Sequence, residues 1–88
     1  MKPQRRTRPA FFSWRMEFGL TVRATADALE VQEGYRIASH EKVRTLCLPF
    51  DDPERTEPDA ALARAIAQLT DNEVDEASFR PQPAQAAA

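Results

Sequence analysis

The sequence predicts an α+β fold: a small antiparallel β-sheet of about four strands with one C-terminal helix. Three observations predict it. The first is the alternation from Phe12 to Ala24. Phe12, Trp14, Met16, Phe18, Leu20, Val22 and Ala24 are apolar, and Ser13, Arg15, Glu17, Gly19, Thr21 and Arg23 lie between them. Period two is the signature of a strand with one buried face. A strand over 12–24 is long enough to bend, and Gly19 is where a bulge fits. The second is the run of β-formers that follows. Leu29 and Val31 alternate with Glu30 and Gln32, Gly34 can close a short hairpin, Tyr35 and Ile37 continue beyond it, and Val43 to Phe50 includes Thr45, Leu46 and Leu48. Strands are therefore expected over about 12–24, 28–32, 35–39 and 43–49. The third is Leu62, Ala65, Ile66 and Leu69, which form one apolar stripe at helical spacing. A helix is predicted over about 59–69, with Thr56 as its cap, Pro58 in its first turn and Asn72 as its stop.

The chain has 88 residues, with a hydrophobic fraction of 42% and a charged fraction of 30%. That is one domain at most. The expected organisation is a flexible basic arm over 1–10, a compact domain over 11–70 and an acidic, then Pro/Gln/Ala-rich tail over 71–88. A folded part of roughly 60 residues buries about 60% of its unfolded surface, so its core is small and leaves little room for a deep pocket. The single cysteine, Cys47, cannot form an internal disulfide. No apolar run reaches the length of a membrane span, and the basic start lacks the apolar stretch of a signal peptide. These features predict a cytoplasmic protein without a membrane contact.

The net charge of −2 conceals an asymmetry: five basic residues, Lys2, Arg5, Arg6, Arg8 and Arg15, precede the first acid, Glu17. Acids crowd the stretch from Asp51 to Glu76. Lys2, Arg5, Arg6 and Arg8 form a candidate polyanion-binding arm. Asp51, Asp52 and Glu54 form a candidate acidic contact surface. They lack the ligand spacing and turn glycine of a calcium loop. His40 lies between Ser39 and Glu41, but side chains of sequence neighbours diverge and do not assemble a triad. It reads as an exposed turn residue. Cys47 reads as a small buried hydrophobe, having no second cysteine or paired histidine for metal binding or nucleophilic use. No catalytic residue, metal ligand or cofactor is predicted, and no enzymatic activity.

A second reading rests on a family likeness. Gly19-Leu20-Thr21, followed by Ala26, Leu29 and Val31, with Arg15 ahead and Glu41 behind, resembles the helix-turn-helix of the phage-repressor-like (XRE) family over about residues 15–41. The resemblance implies an all-α fold, a recognition helix ending near Glu41, a later helix at 59–69 and DNA as the partner. Thr25 stands where that family packs a leucine, and Glu30 replaces its turn glycine. The longer alternation therefore sets the fold class.

The predicted function is a small protein-binding module acting through surface contact, with another protein as its partner. Its make-up resembles that of accessory proteins of phages and mobile elements, which act as inhibitors or assembly components. The alternative is a DNA-binding transcriptional regulator using the helix-turn-helix. Nucleic acid, RNA included, is the further partner that the basic arm suits.

Overall fold

The computed structural model describes residues 7–81, and they contain four α-helices and one 3-10 turn, with no strand. The predicted antiparallel sheet is thereby overturned and replaced by an all-α arrangement. In order, α1 is Ala10–Glu17, α2 Val22–Glu33, α3 His40–Leu46 and α4 Ala60–Leu69, and the 3-10 turn is Glu76–Phe79. The predicted strands at 12–24, 28–32 and 43–49 fall largely on α1, α2 and α3. The predicted strand at 35–39 is the connection between α2 and α3.

The alternation over 12–24 fails because the segment is two helices on different axes. Phe18 caps α1 and Gly19 adopts φ +65°. Leu20 N–H donates to Arg15 O at 2.9 Å and Gly19 N–H to Met16 O at 3.2 Å. This pair of bonds is a Schellman stop, which a left-handed glycine supports without strain. Thr21 then starts α2, its side chain accepting from Ala24 N–H at 3.0 Å. The inward residues of α1 are Phe11 and Arg15, four apart, and those of α2 are Thr25, Ala26 and Leu29. Both sets have helical spacing, but each includes a polar residue, which hides the period from hydropathy. The expected core face is reversed in part: Arg15 is 6% exposed, whereas Met16 is 53% and Phe18 58% exposed.

Gly34 ends α2 instead of closing a hairpin. It lies at φ +83°, and its N–H donates to Glu30 O at 2.8 Å. Glu30 and Val31, where the family resemblance sets its turn, lie inside α2. Residues 34–39 link α2 to α3, and Ser39 caps α3, its hydroxyl oxygen accepting from Lys42 N–H at 3.1 Å.

The C-terminal helix forms close to where its stripe places it. Leu62, Ala65 and Ile66 are buried and Leu69 packs against the core. Its cap is Asp59, whose Oδ1 accepts from Leu62 N–H at 2.8 Å. The expected cap, Thr56, instead shares a hydrogen bond with the Thr45 hydroxyl at 2.8 Å. A second Schellman stop ends α4. Asn72 N–H donates to Ala67 O at 2.7 Å and Asp71 N–H to Gln68 O at 3.3 Å, with both residues at positive φ. Buried Thr70 adds two further ties: its hydroxyl donates to Ile66 O and accepts from Val74 N–H.

The helices enclose one core. Phe11, Leu29, Val43, Leu46, Ile66, Val74 and Phe79 are fully or almost fully buried in it. Each such side chain contributes about 1.5–3 kcal/mol when buried. α2 packs on α3 and α4, while α1 and α4 both pack on the 3-10 turn. The Phe11 and Phe79 rings meet edge to face at 5.9 Å, so residues near the two ends of the described chain share one contact. Gln32 Nε2 donates to Ala65 O at 2.9 Å, bridging α2 and α4. No described helix is long and apolar enough to cross a membrane.

Candidate functional site

The folded chain divides its charged and aromatic side chains in a way the sequence conceals. Arg15 is drawn into the fold. Its Nε–H donates to Cys47 Sγ at 3.5 Å, its Nη1 donates to Leu20 O at 3.0 Å, and its guanidinium carbon stands 5.8 Å from the centre of the Phe12 ring. It therefore joins α1, the turn after α1 and the end of α3. Burial pushes the Cys47 thiol up from its ordinary pKa, against the downward pull of Arg15, so the neutral thiol is favoured. Cys47 is buried as expected, although it caps α3 and does not belong to a strand.

With Arg15 occupying the inward side, aromatic surface is left outside. The Phe18 ring lies 5.0 Å from the Trp14 ring, and Met16 and Phe18 are more than half exposed. The Trp14 ring also contacts Phe11, 6.1 Å away, so Phe18 rests through Trp14 on a core side chain, whereas Met16, two residues from each of them, lies on a different side of the chain. This outer surface of α1 was not among the expected sites. The signal that could have found it is the i, i+4 spacing of Phe11 and Arg15, which fixes the inward side of a helix and leaves Phe18 beyond its end.

The expected sites are distributed as follows. Of the candidate polyanion-binding arm, Lys2, Arg5 and Arg6 lie outside the described residues. Arg8 is described and is engaged with the fold: it donates to Cys47 O at 3.3 Å and stacks over Phe12 at 4.3 Å. The chain is also tied just before it, since Phe50 N–H donates to Thr7 O at 2.9 Å. This brings the root of the arm beside the acidic loop. In that loop, Asp52 Oδ1 accepts from Glu54 N–H at 2.8 Å, Glu54 stands 4.0 Å from Arg44, and Asp51 is exposed.

His40 and Cys47 sit at opposite ends of α3, roughly 10 Å apart at the helical rise. Ser39 is occupied in capping, and Glu41 accepts from Arg44 Nε at 3.1 Å. That hydrogen bond holds the Glu41 carboxyl below its ordinary pKa. Ser39 and Glu41 are therefore each engaged with a different partner, Lys42 N–H and Arg44, and not with His40. Among the described residues no group of three or more His, Cys, Asp or Glu side chains is placed to hold a metal ion.

Three cations are paired with acids on the surface. Arg36 reaches both Asp27 and Glu30 at 2.7 Å, Arg44 pairs with Glu41, and Arg80 stands 3.2 Å from Glu76. Arg55 is enclosed between Phe50, Glu57 and Phe79 O. All fourteen acids of the chain fall within the described residues, whereas three of its twelve basic residues precede them. Comparison with family models, curated proteins and solved structures finds no match for the chain.

Proposed function

We propose that this chain is a small non-enzymatic protein-binding module, acting as an inhibitor or assembly component, and that the outer surface of α1 is its contact surface. One observation carries this reading: Phe18, at the cap of α1, is exposed with its ring tilted against Trp14 at 5.0 Å, beside a helix whose inward side takes an arginine. Aromatic residues and methionine are enriched where proteins meet, and a held aromatic loses little entropy on binding. The test uses tagged full-length chain as bait in lysate of its source cell. Phe18→Ser should lose the captured partner, and Arg64→Ser, an exposed change on α4, should keep it. Equal capture by Phe18→Ser and the unchanged chain would remove α1 as the contact surface.

A second reading, a DNA-binding regulator, is favoured by one observation. The Gly19-Leu20-Thr21 stretch forms a turn and cap that start a helix, and a second helix follows it. The surface pairing of Arg36 and Arg44 and the acidic balance weigh against it, because a polyanion needs unpaired cations to neutralise its phosphates. A mobility-shift titration on genomic fragments at two salt concentrations separates the readings. Sequence-selective retention that falls steeply with salt would favour the regulator. Weak or salt-indifferent retention supports the protein-binding module.

A further inference from the structure

The aromatic surface of α1 stands beside the place where the described residues end. The 3-10 turn packs on α1, and a series of ring contacts leads from it along the helix. Phe79 meets Phe11 at 5.9 Å, Phe11 meets Trp14 at 6.1 Å and Trp14 meets Phe18 at 5.0 Å. The series begins at a buried ring and finishes at an exposed one. Arg80 follows Phe79 in extended backbone, the conformation that a residue before proline favours, and Pro81 is exposed. The chain therefore leaves the fold over the surface, next to the first turn of α1.

We propose that residues 81–88 dock reversibly on the Trp14–Phe18 surface of the same chain and compete there with its protein partner. From Pro81 onward the sequence is Pro-Gln-Pro-Ala-Gln-Ala-Ala-Ala. It carries no charged side chain, so laying it on apolar surface removes no ion from water. Proline-rich segments dock on aromatic surfaces because their backbone is already restricted and loses little entropy. The segment is long enough: in polyproline geometry it reaches about 25 Å, farther than the three ring spacings taken together. Its attachment keeps it close to the rings at an effective concentration of roughly millimolar order, so a weak contact is populated. A partner that touches more than these rings displaces it. The docking stands on this geometry alone, and the competition rests on the reading of α1 as the contact surface.

Trp14 is the only tryptophan, so its fluorescence reports on this surface directly. In the full chain, the double change Pro81→Gly with Pro83→Gly should raise acrylamide quenching of Trp14 about twofold, because the two prolines supply the contact. The circular dichroism spectrum should not change, since both positions follow the last helical turn. Equal quenching of the two chains would overturn the docking. Quenching that falls as protein concentration rises would assign the cover to a second copy and overturn it as well. A nitroxide on Ala86→Cys should broaden the Trp14 indole N–H and Phe18 ring resonances, and unbroadened signals there would contradict the placement. Competition is read separately, by capture from lysate. The proline variant should capture more partner than the unchanged chain, and equal capture would overturn the competition. Capture unaffected by Phe18→Ser would remove α1 as the contact surface and the competition with it, while the fluorescence result would still decide the docking.

Discussion

Helices α1 and α4 end in the same way and are built in opposite ways. Both close on a Schellman stop, through Gly19 in one and through Asp71 and Asn72 in the other. α4 puts Leu62, Ala65 and Ile66 inside and Arg64 outside. α1 puts Arg15 inside, and leaves Met16 along the helix and Phe18 at its cap exposed. The first pattern needs no explanation beyond the core. The second holds a charge out of water and leaves aromatic surface in it. The difference locates the proposed contact surface.

The largest effects should come from the core that both helices share. Phe11→Ala and Ile66→Ala should each cost about 2–5 kcal/mol, measured by denaturant unfolding, because each fully buried side chain leaves a cavity. If Phe11→Ala cost far less than Ile66→Ala, α1 would be an appendage and the comparison would break. Gly19→Ala comes next. Open space surrounds the site, so its cost of roughly 1–2 kcal/mol is the left-handed backbone alone. A neutral result would mean α1 does not stop there. Removing the caps should cost about 1 kcal/mol each, for Asp59→Ala in α4 and Thr21→Ala in α2. Thr56→Ala measures the competing assignment, and its loss should come from the Thr45 hydroxyl pair, vanishing in a Thr45→Ala background. The smallest effect is chemical. Cys47 is buried and its pKa is raised, so thiolate, the reactive form, is scarce at neutral pH and increases only as pH rises toward that raised value. Alkylation followed by mass spectrometry should therefore be slow in the folded chain and fast in denaturant. Equal rates would place Cys47 outside the fold.

What could be read from the sequence followed the same division. The stripe of α4 was legible because every inward residue is apolar and the period is 3.6. Only its cap was misplaced: Thr56, Pro58 and Asp59 all suit a helix start, and local preference does not say that the Thr56 hydroxyl turns to Thr45. The burial of Cys47 was legible from its apolar neighbours, and the exposure of His40 from its polar ones. The favoured sheet reading missed the helices at 10–17, 22–33 and 40–46, whereas the all-α alternative that the Gly19-Leu20-Thr21 resemblance implied fits the observed class. Arg15, Thr25 and Thr45 occupy inward positions that hydropathy assigns to the surface, and Met16, Phe18 and Val31 do the reverse. Their chance alternation over 12–24 then imitates a strand. The two glycines were recognised as places where the chain turns, but a left-handed glycine serves a bulge, a hairpin and a helix stop equally. The aromatic surface of α1 was hidden by the same misreading, since a strand would have turned Phe18 inward. The Asp51, Asp52 and Glu54 loop and Arg8 were identified by charge alone, which does not reveal that Phe50 holds Thr7 beside that loop.

The most direct measurement compares Arg15→Ala and Phe18→Ala by equilibrium unfolding in denaturant. Arg15 is buried, its guanidinium joining Leu20 O and Cys47 Sγ, so removing it should cost about 2–3 kcal/mol through lost hydrogen bonds and lost packing. Phe18 is mostly in water beside Trp14, so Phe18→Ala should cost about 0.5 kcal/mol. A larger loss at Phe18 than at Arg15, the order a strand over 12–24 requires, would contradict the inverted helix and the contact surface inferred from it.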